Sequence, residues 1–331
     1  MINLKTYRMF ESVMELTQEQ VQWLDECAEG TWALNPQTGL VDVKGGFNCS
    51  QQSLTDFKGV RFGVVDGYFY CENNALTSLV GAPQEVGGYF YCHNNSLSTL
   101  EGAPLKVGDD FYCDDNSLTS LIGAPQEVGG YFYCHNNALT SLEGAPREVG
   151  GYFYCDNNAL TSLKGAPQEV GDDFDCRNNQ LASLEGAPQE VGGDFNCSDN
   201  ALISLEGAPQ RVGGDFNCEN NRLTSLEGAP QEVGGDFSCE NNRLTSLEGA
   251  PQTVGDYFYC ENNPVSRDTL DAIFTEMQQG TSYLAAVESL WSKIPQDDQV
   301  LLYADDFKWV TPEQSRGIVA LRAYQDLRGM L

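Results

Sequence analysis

The sequence is poor in basic residues. It has 18 Lys and Arg against 48 Asp and Glu, which gives a formal net charge of −30. A nucleic-acid-binding protein needs a basic surface to neutralise phosphates, so this balance argues against DNA or RNA binding. An acidic excess is typical of a long, soluble surface, and it also fits attraction to a cationic partner.

Long hydrophobic runs and targeting signals are missing as well. No stretch reaches 18 apolar residues, which predicts no transmembrane helix. The opening MINLKTYRMFESVMELTQEQ lacks the apolar core and small-residue cleavage site of a secretory signal. We therefore expect a protein of the bacterial cytoplasm, without membrane contact, whose thiols stay reduced.

The common catalytic and metal-binding motifs are also absent. The sequence has no P-loop, no H-E-x-x-H and no C-x-x-C, and its only histidines are His93 and His135. In a stacked array the two histidines would lie about 10 Å apart, too far to share one metal ion. These absences predict no enzymatic activity, no cofactor and no metal site.

Most of the 12 cysteines mark an internal repeat. A cysteine recurs every 21 residues from Cys71 to Cys260, and Cys49 lies 22 residues before Cys71. The frame around each is F-x-C-x-x-N-x-L-x-x-L-x-G-A-P-x-x-V-G. Residues 46–263 therefore form a solenoid of eleven coils, of which the first is irregular, as end repeats usually are.

The repeat frame resembles the leucine-rich repeat, L-x-x-L-x-L-x-x-N/C-x-L, with Phe132, Cys134 and Asn137 at its strand and asparagine positions. In its prolines and its short period, the repeat resembles the leucine-rich repeats of bacterial type III-secreted effectors. The wording FYC-x-NN-x-LTSL-x-GAP also resembles the repeats of proteins from tailed bacteriophages. The resemblance implies a right-handed horseshoe or arc with short parallel strands on its concave face. Val149 precedes Phe153 by four residues rather than three, which places an extra residue in the Gly-Gly corner.

Strand geometry favours the same solenoid. Phe132 and Cys134 have the same parity, so both point to one face of a strand. Together with the two leucines and the valine of the frame they form an apolar side that only stacked coils can bury. We expect the second Asn of each N-N pair to hydrogen-bond the backbone of the turning chain.

The cysteine column allows four interpretations. A single file of thiols cannot surround a zinc ion tetrahedrally. Cβ atoms about 4.8 Å apart exceed the ~3.8 Å usual for disulfides. A nucleophile needs exposure and a nearby base, which inward thiols lack. We therefore predict core packing. Secreted ubiquitin-ligase effectors with similar repeats carry a nucleophilic cysteine in a further catalytic domain. Because no cysteine of this sequence is left for that role, we do not expect that activity.

The segment 17–45 is predicted to cover the first coil. Thr17 opens a capping box before the helix VQWLDECA, which Gly30 would end, and TWALNPQTGLVDVKG predicts a hairpin. The expected packing anchors are Trp23, Leu24, Trp32 and Cys27.

The two ends of the chain lie outside this unit. Residues 1–16 form either a flexible segment or a leader, because LKTYRMFESVMEL resembles the capsid-targeting leader of T-even-like phages, with cleavage after Glu15. Residues 264–331 predict a four-helix C-terminal cap.

The alternate strand positions point outward and vary from coil to coil. Aromatic residues dominate the early coils and the last one: Tyr68, Tyr70, Tyr89, Tyr91, His93, Tyr112, Tyr131, Tyr133, His135, Tyr152, Tyr154, Tyr257 and Tyr259. Aspartates dominate the later coils: Asp173, Asp175, Asp194, Asp215 and Asp236.

This outward face is the candidate binding site. Tyrosine is enriched at interfaces because it combines area, low entropy loss and a polar tip, although stacked tyrosines also stabilise a sheet. Stacked aspartates about 5 Å apart would repel by roughly 0.8 kcal/mol per pair, so we expect them to oppose folding and serve a basic partner. A calcium role is disfavoured because G-G-x-G-x-D is absent.

These patterns predict a non-enzymatic, phage-encoded module that binds a protein partner on its concave tyrosine/aspartate face. Two other functions stay open on the sequence. One is a structural protein packaged inside the virion. The other is an acidic decoy for a basic defence or nucleic-acid-binding factor of the host.

Overall fold

Each 21-residue repeat forms one turn of a solenoid and contributes a short strand to each of two parallel ladders. The computed structural model describes residues 15–245, 247–260, 262–264 and 308–310. A solenoid of parallel strands is therefore confirmed, with about ten turns. Its handedness and the concave position of the predicted face stay predictions.

The first ladder, the phenylalanine ladder, runs through eleven strands and pairs each Phe with the Phe of the next turn. Its strands are Val41–Asn48, Phe69–Tyr70, Phe90–Tyr91, Phe111–Tyr112, Phe132–Tyr133, Phe153–Tyr154, Phe174–Asp175, Phe195–Asn196, Phe216–Asn217, Phe237–Ser238 and Tyr257–Tyr259.

The second ladder, the valine ladder, was not predicted from the sequence. It pairs the Glu-Val steps of successive turns in parallel register. Its strands are Phe62–Val65, Glu85–Val86, Lys106–Val107, Glu127–Val128, Glu148–Val149, Glu169–Val170, Glu190–Val191, Arg211–Val212, Glu232–Val233 and Thr253–Val254. The corner between the two ladders holds the extra residue expected from the sequence, as in Gly150, Gly151 and Tyr152.

The core is one continuous stack of inward side chains. Phenylalanine rings of neighbouring turns lie nearly parallel, with Phe132 and Phe153 5.3 Å apart between ring centroids. Phe132, Cys134, Leu139 and Leu142 are all 0% exposed. Each buried Phe or Leu contributes about 1.5–3 kcal/mol, which one coil alone could not obtain.

The asparagine column satisfies the backbone where the chain turns, as predicted. Asn137 Oδ1 accepts the N–H of Leu118 at 2.9 Å, and its Nδ2 donates to the carbonyls of Cys113, Cys134 and His135 at 3.1–3.2 Å. The amide thus joins two consecutive turns. Equivalent bonds recur along the column.

Two further positions in each turn need an unusual backbone. Asn136, the first residue of its N-N pair, has φ 51°, which asparagine tolerates better than most residues. Gly144 has φ 96°, and a Cβ there would lie 2.5 Å from the backbone nitrogen of Ile122 in the preceding turn. The N-N and G-A-P parts of the frame are therefore requirements of the turn itself.

The N-terminal segment forms a helix and a hairpin, and their role as a cap of the solenoid stays a prediction. The helix Gln18–Cys27 begins with the capping box of Thr17, and the strands Ala28–Leu34 and Val41–Asn48 pair antiparallel. The expectation that Gly30 ends the helix is wrong. Ala28 is already extended, and Gly30 lies within the strand, where a Cβ would overlap the Lys44 carbonyl oxygen.

The predicted anchors of this segment meet the first coil. Trp23 is 3% exposed, and its ring lies 5.3 Å from that of Phe47. Leu24 and Cys27 are buried, and Trp32 packs partly buried against the core.

Both predicted end regions lie almost entirely outside the described residues. Only Glu15 and Leu16 of the predicted leader segment, and Pro264 and the strand Lys308–Val310 of the predicted helical cap, are described. That strand pairs antiparallel with Tyr257–Tyr259 at the last turn of the phenylalanine ladder. Among the described helices, none has the length and apolarity of a membrane span.

Candidate interaction surface

Nine tyrosines of the early coils come together in one layer on the phenylalanine ladder. An inner row directly precedes the cysteines, and an outer row stands two residues earlier, so both rows project on the same side. The inner row is Tyr70, Tyr91, Tyr112, Tyr133 and Tyr154. The outer row is Tyr68, Tyr89, Tyr131 and Tyr152. We refer to the nine together as the tyrosine layer.

Rings in the tyrosine layer stack both along the solenoid and across it. In the inner row Tyr112 lies 4.4 Å from Tyr91 on one side and 4.4 Å from Tyr133 on the other. Tyr131 and Tyr152 stack at 4.4 Å in the outer row. The ladder sets this spacing, because each tyrosine sits directly over its equivalent in the next turn.

Tyrosines of the layer are half-buried by one another, except Tyr89, which is 39% exposed. Burial raises the pKa of Tyr68 and Tyr91 to about 12. It raises the pKa values of Tyr112 and Tyr154 further, with help from neighbouring tyrosine and aspartate groups. These four phenols are therefore neutral, and their hydroxyls can form hydrogen bonds at the surface of the layer.

Tyr257 and Tyr259, which the sequence placed on the same face, do not belong to this layer. They lie at the last turn, and their rings are tilted at 6.0 Å. Four coils with Asp, Asn or Ser at the equivalent positions separate them from Tyr154.

The outward aspartates form hydrogen bonds that the sequence did not predict. We call Asp173, Asp194, Asp215 and Asp236 the aspartate column. Oδ1 of Asp173 accepts the backbone N–H of Asp194 at 2.8 Å, and Asp194 accepts that of Asp215 at 2.7 Å. Asp215 and Asp236 repeat the bond to the following turn.

The expectation that these aspartates only oppose folding is therefore wrong. Each carboxylate accepts a charge-assisted bond, commonly worth about 1.5–3 kcal/mol, which exceeds the roughly 0.8 kcal/mol expected for repulsion between neighbours. Asp110, which lies among the coils of the tyrosine layer, accepts the backbone N–H of Tyr131 in the same way. The column is a structural feature, and Asp194 and Asp215 are exposed as well.

The sequence placed Asp175 on the exposed face, but in the structure this residue is buried. It is only 8% exposed, and burial raises its pKa to about 6. Its Oδ1 accepts the backbone N–H of Arg177 at 3.0 Å, and its Oδ2 pairs with the guanidinium Nε at 3.3 Å. Asp175 occupies an inner-row position next to Tyr154, so it is covered where a tyrosine would extend outward.

Both histidines lie beside the inner row, two turns apart. The ring of His93 is 5.9 Å from that of Tyr91, and the ring of His135 is 5.8 Å from that of Tyr133. Each histidine directly follows a cysteine in the sequence. Side chains at this position are less exposed than the sequence predicted, and Asp114, which lies between the two histidines, is only 7% exposed. His135 Nε2 lies 3.7 Å from Asp114 Oδ2.

The cysteine column is core, as predicted. All 12 cysteines are buried as thiols rather than joined in disulfides. Burial raises the pKa of Cys134 well above its usual range, so its thiolate is disfavoured. Several thiols donate to the carbonyl of the next turn, such as Cys155 to Asp175 at 3.3 Å. The column therefore offers no activated nucleophile.

A second surface lies along the valine ladder. A groove of about 1420 Å³ runs from Lys106 to Thr253, floored by valine and glycine and edged by glutamate. The recurring Q-E-V of the sequence is the pattern from which this surface could have been predicted. Two cations interrupt the glutamates and pair with their neighbours, Lys106 with Glu127 and Arg211 with Glu232.

Solved structures of YopM match the chain. One, from Yersinia enterocolitica WA-314, has a TM-score of 0.50 and 19% sequence identity, and the match covers 76% of this chain and 57% of that one. Another, described as a leucine-rich effector protein from Yersinia pestis, has a TM-score of 0.47 and 23% identity over 60% of this chain and 61% of that one. This chain therefore spans less than two thirds of either structure.

No protein-family model and no curated protein matches the sequence significantly. The structural likeness concerns the fold alone. At that level the predicted resemblance is confirmed: the chain is a parallel-strand solenoid of the kind found in the leucine-rich-repeat protein YopM.

Proposed function

We propose that this protein is a non-enzymatic binding module that holds a protein partner on the tyrosine layer. The observation that carries the proposal is the continuous stack of the five half-buried inner-row tyrosines, with the four outer-row tyrosines beside them on the same side of the phenylalanine ladder. A fold of this kind suits protein binding, because stacked repeats present an extended surface.

The tyrosine layer is well prepared for binding. The inner-row rings are held between neighbouring rings, so a partner would immobilise few additional rotatable bonds there. Tyrosine contributes a large contact area with two rotatable bonds and a hydroxyl that can donate or accept. Tyr89, the most exposed of the nine, offers the first point of contact.

We propose further that the partner surface is basic. Tyr154 OH donates to Asp173 Oδ2 at 3.4 Å, so the tyrosine layer continues directly into the aspartate column. Lysine and arginine can stack on tyrosine faces and pair with carboxylates. The net charge of −30 would speed the encounter with such a partner. The repeat resemblance suggests a phage-encoded protein acting in the bacterial cytoplasm.

Affinity capture with the full chain tests this proposal. The protein is immobilised, cell lysate is passed over it at low and moderate salt, and captured proteins are identified by mass spectrometry. The test variant replaces four inner-row residues by Ala: Tyr91, Tyr112, Tyr133 and Tyr154. Hot-spot tyrosines are worth about 2 kcal/mol or more each, so the specific partner should disappear from the eluate.

A matched control carries four substitutions on the valine ladder instead. Glu127, Glu148, Glu169 and Glu190 become Gln, which changes more charge but leaves the tyrosine layer intact. Thermal melts monitored by circular dichroism confirm folding. If the quadruple variant does not fold, Tyr89→Arg is the substitute test, because it places one positive charge at the most exposed position of the tyrosine layer and should also reduce capture. Unchanged capture by both tyrosine variants, or loss with the glutamine variant alone, would refute this surface.

A further inference from the structure

A small group of ligand-type side chains lies where two turns meet beside the tyrosine layer. Asp114 and Asp115 stand in one turn and His135 in the next. One ligand atom from each of the three lies within 4.8 Å of the others. Among the ten regular coils only this one has the sequence C-D-D-N, directly below a histidine.

A second, independent observation concerns Asp114 itself. The residue is 7% exposed, and its Oδ1 is buried with no hydrogen-bond partner. Its Oδ2 is 3.7 Å from His135 Nε2, beyond hydrogen-bond distance, and Nδ1 of His135 also lacks a partner. Burying a carboxylate oxygen without a hydrogen-bond donor or a cation costs free energy, so a positively charged partner would stabilise this site.

We propose that Asp114, Asp115 and His135 bind a divalent first-row transition ion such as Zn²⁺. One imidazole nitrogen and two carboxylates are ligands that these ions accept, whereas Ca²⁺ takes six to eight oxygens. Ligand atoms on a tetrahedral zinc with bonds of ~2.0–2.1 Å lie about 3.3 Å apart, so the side chains need only close slightly. Three protein ligands leave a position for water.

The ion would also complete the contacts of these side chains. It would give the free oxygen of Asp114 a partner and neutralise two adjacent carboxylates. Asp115 is already oriented, because its Oδ1 accepts a bond from Asn136 Nδ2 at 3.0 Å. Such a partner behind a ligand is what fixes metal-binding side chains in proteins. This site is independent of the proposed protein-binding function.

Titration of the reduced full-length protein with Co²⁺ alone, followed by Zn²⁺ competition, tests the proposal. We expect one ion per chain, with the visible bands of cobalt in nitrogen and oxygen ligands and without a cobalt–thiolate band. His135→Gln and Asp115→Asn should each weaken binding by at least about tenfold. Zinc should raise the melting temperature of the wild type and not that of His135→Gln.

Two matched controls come from the same columns. His93→Gln removes the other histidine, and Asp199→Asn changes the equivalent of Asp115 in a turn whose neighbour has no histidine. Both should bind within about twofold of wild type, a change below 0.5 kcal/mol. The wild-type titration decides even if a variant fails to fold. No stoichiometric ion, a thiolate band, or equal losses in test and control variants would overturn the assignment.

Discussion

Loss of one amide from the asparagine column should weaken the solenoid measurably, and Asn221 is the best place to test this. It is 8% exposed. Its Oδ1 accepts the N–H of Leu202 at 2.9 Å, and its Nδ2 donates to the carbonyls of Cys197, Cys218 and Glu219 at 3.0–3.1 Å. Asn221→Ala removes all of these contacts from the junction of two turns.

The magnitude follows from counting donors. An amide group has two hydrogens for its three acceptors, so it makes two good donated bonds and one accepted bond. At about 1–1.5 kcal/mol for each of these three bonds, Asn221→Ala should destabilise the protein by about 3–4.5 kcal/mol. That is a large part of the roughly 5–15 kcal/mol by which folded domains are usually stable.

Urea denaturation and hydrogen exchange measured by mass spectrometry check this prediction together. Solenoids can open locally, so protection should fall first in peptides spanning residues 197–223. Asn220→Gly is the control, because Asn220 is exposed, has φ 54°, and glycine adopts that conformation freely. The control should change stability by less than about 0.5 kcal/mol. A cost below about 1 kcal/mol for Asn221→Ala, with unchanged exchange, would show that water replaces the column and would refute the reasoning.

Three further predictions test the other columns. Cys218 and its equivalents from Cys71 to Cys197 should resist alkylation in the native protein at pH 8 and react on unfolding, because burial raises the pKa of each of these thiols; rapid native labelling would contradict this. Burial raises the pKa of Tyr68 and Tyr91 from 10 to about 12, which favours the neutral phenol in the folded state. Their stabilisation should therefore be complete below pH 10 and lost as pH rises through 12, and ultraviolet titration of native and unfolded protein should show the difference. Asp215→Ala should cost about 1.5–3 kcal/mol in a denaturation experiment, whereas Asp215→Asn keeps an acceptor oxygen and should cost less; equal losses would show that charge matters more than the hydrogen bond.

Much of this fold could be predicted because its chemistry is repeated. A single Phe-x-Cys step says little, but ten copies at a constant interval fix which side chains point inward and how turns align. The asparagine column was predictable for a similar reason. A turn leaves backbone groups bare, and an invariant amide at that point is a natural partner for them.

The features that were missed depend on contacts between turns. The Glu-Val strand of the valine ladder is only two residues long, as in Glu148–Val149, so it has no alternation to detect. The repulsion expected between aspartates considered side chains alone. It left out the backbone N–H that the next turn places beside each carboxylate, as for Asp194 and Asp215. The burial of Asp175 also depends on neighbours, here Arg177 and the adjoining tyrosine row.

The residues that hold the solenoid together and those that would contact the proposed partner share the same face, and their contacts distinguish them. Tyr112 stacks on both sides at 4.4 Å, so its loss would reduce both stability and binding. Tyr89 is 39% exposed, and Asp194 and Asp215 are exposed although one oxygen of each bonds the backbone. Specificity for the proposed partner should therefore lie mainly in the outer row and the exposed edge of the aspartate column. Because the inner row is needed for stacking whatever the partner is, variation of the outer positions is the way to change the partner without unfolding the protein.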